Sequence, residues 1–172
     1  MKKLKKALNH VFIDGLSGMA LGLFATLIVG TIIQQIGNLI GDNVNANIGH
    51  IIFLVGKMAA TATCAGIGVG VAYKYKESPL VVISAAVCGM IGGYASKMIA
   101  GTIITETGAI LFSGPGEPLG AFIAAVVGIE IGHLISGKTK VDILVTPIVT
   151  ITTGAVAGFV VGPPITQFMT WL

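Results

Sequence analysis

Residues 15–35 read GLSGMALGLFATLIVGTIIQQ, 21 consecutive positions without one charged side chain. A helix needs about 20 residues to cross the hydrocarbon core of a bilayer, and this run supplies them. Its apolar residues fall on every face of a helix rather than on one stripe, as they do where a helix is surrounded by lipid and protein. Residues 51–73, IIFLVGKMAATATCAGIGVGVAY, and residues 79–101, PLVVISAAVCGMIGGYASKMIAG, have the same character. A transmembrane β-barrel would show ~10-residue strands alternating apolar and polar positions. No such alternation is present, so the fold class is an all-α integral membrane protein.

Composition agrees. The 172 residues are 54% hydrophobic and only 10% charged, with 25 glycines and a mean hydropathy of +0.95. A soluble domain carries about 25% charged residues. The sequence predicts a single transmembrane domain, 1–172, with five spans at about 15–36, 50–73, 79–104, 119–136 and 143–161. Two Gly/Pro-rich pieces, 113–118 and 162–172, are too short to span and are expected to be re-entrant or interfacial.

Lysine placement orients the bundle. Lys2, Lys3, Lys5 and Lys6 precede the first span, Lys74 and Lys76 lie between the second and third, and Lys138 and Lys140 lie between the fourth and fifth. The alternate loops, GNLIGDNVNANIGH and TETGAILFSGPGEP, hold no lysine or arginine. The positive-inside rule therefore predicts a cytoplasmic N-terminus and an outward-facing position for both lysine-free loops. The N-terminal lysines read as an anchor for anionic headgroups rather than as a signal peptide, because the apolar run continues past the length of a signal core.

Several features read as packing. Cys64 and Cys88 lie inside spans without a CxxC or Cys/His partner, which indicates neither a disulfide framework nor a zinc site. GIGVGV at 66–71 resembles a nucleotide-binding glycine fingerprint but lacks the preceding strand. Close-spaced Gly and Ala residues suit helices whose backbones touch. No cofactor, metal or nucleic-acid motif is present, and the sequence predicts no catalytic residues.

Ionisable groups at membrane depth are costly, about 2.5–3.5 kcal/mol each on insertion scales, and so point to function. Lys57 is expected about 10 Å into the second span and Lys97 near the outer part of the third. Lys97 reads equally as a lysine snorkelling to the interface. Glu130 is the deepest, about 16 Å into the fourth span and near the midplane, with His133 one turn further in. A Lys57–Glu130 pair would relieve the desolvation of both. Asp14 reads as a helix cap or a water-facing group. The piece LFSGPGEPLGAF, residues 111–122, places Glu117 between glycines and prolines just ahead of the fourth span, with Pro118 suited to its first helical turn. Its alternative reading is a plain extracellular turn.

Residues from SGPGEPLGAFIAAVVGIEIGHLISGKTKVDI through VGPPITQFM resemble a bacterial membrane family related to enzyme IIC, the sugar-translocating subunit of the phosphotransferase system, a family that includes perfringolysin O regulator. GPGEPLGAF, SGKTKVDI and VGPPI are its most specific pieces. The resemblance implies a multi-pass protein of the bacterial plasma membrane that transports a small polar, sugar-like solute. It also implies that Glu117 and Pro118 contact that solute, as a Glu-Pro pair does in related proteins; Lys57, Glu130 and His133 are further cavity candidates by their depth, with a structural bridge between helices as the alternative for Glu130 and an interfacial histidine for His133. Phosphoryl transfer would belong to separate cytoplasmic phosphotransferase subunits, so the chain itself is not expected to be an enzyme. Family members are about twice as long, which implies a homodimer or a second half. The alternative function is a non-transporting membrane regulator or sensor.

Overall fold

The computed structural model describes residues 6, 8–41 and 47–172. Lys2, Lys3 and Lys5, and positions 42–46 of the first lysine-free loop, lie outside the described residues. The described residues form six helices: α1 (His10–Ile40), α2 (Ile48–Thr61), α3 (Thr63–Lys74), α4 (Pro79–Ile99), α5 (Pro118–Ile135) and α6 (Asp142–Trp171). Among the described residues α1, α4, α5 and α6 are each long and apolar enough to cross a membrane. The α2–α3 pair, bent by 51°, makes a fifth span when counted as one. The protein is thus an all-α, multi-pass membrane protein.

The breaks have local causes. Between α2 and α3 the hydroxyl of Thr61 donates to the Lys57 carbonyl at 2.8 Å and that of Thr63 to the Ala60 carbonyl at 2.6 Å. Such side-chain bonds compete with the helical ladder, and the chain turns at Ala62. Pro79 and Pro118 each occupy a first helical turn, where a missing N–H costs nothing. α4 ends at Ile99 rather than near 104, because Gly101 takes a left-handed φ of 70°. The distinctive SGKTKVD stretch is the α5–α6 turn: Asp142 Oδ1 accepts from the Gly137 amide at 2.9 Å and from the Thr146 hydroxyl at 2.6 Å.

One expectation is corrected. Residues 162–171 are not a separate re-entrant piece but the last third of α6, which continues through Pro163 and Pro164. Prolines are tolerated in membrane helices where neighbours satisfy the freed backbone groups. Here Gly162 packs against Ala95 of α4, and Thr166 is tied sideways to Ser96 and Glu117.

α4 lies at the centre, packed on α3, α5 and α6, while the first half of α1 lies on α3 and its second half pairs with α2. Lipid is as apolar as leucine, so helix association here depends on close backbone contact and hydrogen bonds. A Cβ on Gly18 would lie 2.5 Å from the Gly70 carbonyl oxygen, and one on Gly120 would lie 2.6 Å from that of Gly92. Cys64, Ile67, Ala85, Tyr94, Ala125 and Ile129 are among the buried residues at the contact of α3, α4 and α5. Large apolar side chains such as Phe24, Met58, Ile83 and Val160 face outward, as lipid requires.

Candidate functional site

After α4 the chain runs outward, closes a small turn through the Ile104–Ile110 bridge, and returns as residues 113–117. Glu117 donates its amide to the Gly93 carbonyl at 2.8 Å. Gly93 lies six residues inside the end of α4, so the motif dips about 9 Å below that end before α5 begins. Gly114 and Gly116 permit this with φ values of 75° and 73° on either side of Pro115.

Three residues of the last two turns of α4 hold the loop. Lys97 Nζ donates to the Ser113 carbonyl at 2.9 Å, the Tyr94 hydroxyl donates to the Gly114 carbonyl, and Gly93 accepts from Glu117. Lys97 Nζ also lies 5.4 Å from the centre of the Tyr94 ring. From the first turn of α3, the buried Cys64 thiol donates to the Pro115 carbonyl at 3.0 Å. Gly116 sits where a Cβ would lie 2.6 Å from Cys64 Sγ. The half-buried Glu117 side chain turns toward α6, and Thr166 Oγ1 lies 2.7 and 2.8 Å from its two carboxyl oxygens. Ser96 Oγ is bonded to the same Thr166 hydroxyl. A threonine hydroxyl has one proton, so Thr166 donates to the carboxyl group and Ser96 donates to Thr166. A hydrogen bond to a charged partner contributes about 1.5–3 kcal/mol. The carboxylate can accept about four such bonds, and Thr166 fills only part of that capacity.

Beside the loop lies an open groove of about 600 Å³ lined by Lys57, Thr61, Ala62, Ala65 and Phe112, among others. Phe112 leads directly into the motif and packs edge-on against Tyr94, with ring centres 5.1 Å apart. Lys57 is exposed in this groove.

The residues predicted from sequence do not form one cavity. Glu117, Pro118 and the Lys57 groove lie toward the end with the lysine-free loops, but neither Glu117 nor Pro118 lines that groove. Glu130 and His133 lie toward the opposite end. The expected Lys57–Glu130 pair is not formed: Glu130 Oε1 is 3.2 Å from His10 Nε2, and His10 Nδ1 is 3.7 Å from Asp14. The reason is the descent of the motif. It lowers the start of α5 by about 9 Å relative to the end of α4, so the residue twelve positions later lies that much closer to the lysine-bearing loops. The His10 ring stacks on Tyr75, which follows α3, at 3.8 Å. Burial, with Glu130 and Asp14 adding, pushes the Tyr75 phenol up to about 12, so it stays protonated at neutral pH. His133 Nδ1 is 3.0 Å from Glu77, whose side chain is only 8% exposed. Asp14 is therefore a partner of His10. Among the described residues no group of three or more His, Cys, Asp or Glu side chains could hold a metal ion.

Sequence reasoning missed His10, Ser96 and Thr166. The i, i+4 spacing of His10 and Asp14 was a readable signal. Ser96 and Thr166 carried none, since their role comes from the approach of α4 to α6.

Residues 13–172 match the family model described as Phosphotransferase system, EIIC. The chain belongs to the EIIC family of the phosphotransferase system. No curated protein and no solved structure gives a significant match. EIIC domains are the membrane components of that system and work with its other subunits, which gives this EIIC chain a translocation role in the membrane. Two pieces that are distinctive in its sequence, GPGEP and VGPPIT, meet in space at Glu117 and Thr166.

Proposed function

We propose that this EIIC chain carries a small polar, sugar-like solute across a bacterial plasma membrane, with Glu117 as the group that binds the solute and Pro118 setting the start of the helix behind it. The observation that carries this reading is the state of the Glu117 carboxyl: it lies below the end of α4 and receives a hydrogen bond from one side chain, Thr166. Its remaining acceptor positions match the hydroxyl groups of a polyol. The groove with Lys57, which reaches the loop at Phe112, has a volume within the ~300–1,000 Å³ usual for small-molecule sites. A broken span and a Gly/Pro loop meeting at one place is also how many transporters expose backbone groups to a solute. Glu130 and His133, paired at the other end, belong in this reading to the exit side of the path.

The chain supplies binding and passage, and cytoplasmic phosphotransferase subunits supply the phosphoryl group; it is not itself the enzyme. A second copy of the chain completes the path. The test is uptake of a panel of radiolabelled hexoses and hexitols into liposomes holding the purified chain, with and without the phosphotransferase subunits. Glu117→Gln is expected to lower uptake at least tenfold, equivalent to about 1.4 kcal/mol, while the melting profile stays parental. Parental uptake in Glu117→Gln would return the motif to a structural turn.

A further inference from the structure

The 113–117 loop is tied to α3 and α4 at several points, but among the described residues its side-chain hydrogen bond to α6 is the one between Glu117 and Thr166. Thr166 stands just past Pro163 and Pro164. Those residues have no N–H, so the carbonyls four positions earlier, at Phe159 and Val160, lose their helical donors, and the end of α6 is less firmly joined to the rest of the helix. Its lateral ties include the packing of Gly162 on Ala95, the burial of Ile165 and the Ser96–Thr166–Glu117 chain. The Thr166 hydroxyl also has a second acceptor, the Gly162 carbonyl one turn back at 3.1 Å. It can therefore leave Glu117 without becoming an orphaned donor.

We propose that Thr166 is a positioning residue that latches the 113–117 loop through Glu117, and that transfer of its hydroxyl from Glu117 to the Gly162 carbonyl lets the loop lift from Cys64. The loop covers Cys64 directly: the thiol bonds to Pro115, Gly116 lies against its sulfur, and it is fully buried. Reactivity at Cys64 thus reports whether the latch is closed, and it does so without any solute. Failure of the solute reading would leave this result standing, and the reverse also holds.

The measurement is the rate of N-ethylmaleimide labelling of the full chain in liposomes, in a Cys88→Ala background so that Cys64 is the only thiol. Thr166→Val should speed labelling about tenfold or more, as loss of a hydrogen bond to a charged group would. Thr166→Ser, which keeps the hydroxyl, should restore the slow rate. Glu117→Ala should speed labelling as much as Thr166→Val, and the two together no further, because both remove one interaction. Parental labelling in Thr166→Val overturns the latch, as does equal acceleration in Thr166→Ser, or multiplication of the two effects in the double variant. Where Thr166→Val fails to assemble, Glu117→Ala decides alone, and a parental rate there overturns it too.

Discussion

Gly114 and Gly116 flank one proline and share a left-handed backbone, yet their surroundings differ. A Cβ on Gly114 meets nothing within 4 Å, while one on Gly116 lies 2.6 Å from Cys64 Sγ and 3.1 Å from the Gly93 carbonyl oxygen. Alanine at either position carries the conformational cost of a left-handed residue, about 1–2 kcal/mol. Only at 116 does a steric term add to it, by about 1–3 kcal/mol for an overpacked site. Thermal melting in detergent should therefore rank Gly116→Ala well below Gly114→Ala. Cys64→Ala should recover part of the loss at 116 and none at 114. Equal melting temperatures for the two alanine variants would show that the motif is not pressed against α3.

At the scale of helices, the crossing of α1 over α3 depends on paired glycines. Gly18 faces Gly70, and Gly22 faces Gly66 and Ile67, with a Cβ on Gly22 reaching within 2.7 Å of the Ile67 amide nitrogen. Backbone cannot move aside as a side-chain tip can, so Gly22→Val should force α1 off α3 and lower stability by about 1–3 kcal/mol. Gly41→Ala, which would meet the amide of the Asn47 side chain instead, should cost much less. Guanidinium-free thermal melts of the two variants compare them directly. The same contacts explain what the sequence revealed. Span positions were legible, since about 20 apolar residues can hardly be anything else, and so was the interruption at residues 113–118, from its glycines and prolines. The course of α6 was not. Pro163–Pro164 reads locally as a stop, and the helix continues only because Ala95, Ser96 and Glu117, distant in sequence, hold its last third. The His10 partner of Glu130 was not legible for a related reason: α5 starts at the level of Gly93, below the end of α4, which nothing in the local sequence announces.

For the whole molecule, the two ends differ in chemistry. The α3–α4 and α5–α6 turns, with Lys74, Lys76, Lys138 and Lys140, share one end and are joined by a 2.7 Å hydrogen bond between the Ser78 and Ser136 hydroxyls. The His10–Glu130 and His133–Glu77 contacts lie toward the same end. Glu106 and the entrance to the Glu117 loop are at the other. The positive-inside rule assigns the lysine end to the cytoplasm, where phosphotransferase subunits would meet the chain. The 18 residues of α5 then separate Glu117 from that side by about 27 Å. A solute held at Glu117 would accordingly be held from outside, and its phosphorylation would require passage along α5 toward Glu130. Sidedness is the premise of that route and is open to direct measurement. In intact cells expressing the chain with Cys64→Ala and Cys88→Ala, a membrane-impermeant maleimide should label Glu106→Cys and leave Lys138→Cys untouched. After permeabilisation both should label. The reverse pattern would place the Glu117 loop on the cytoplasmic side, and the solute would then be bound after crossing rather than before it.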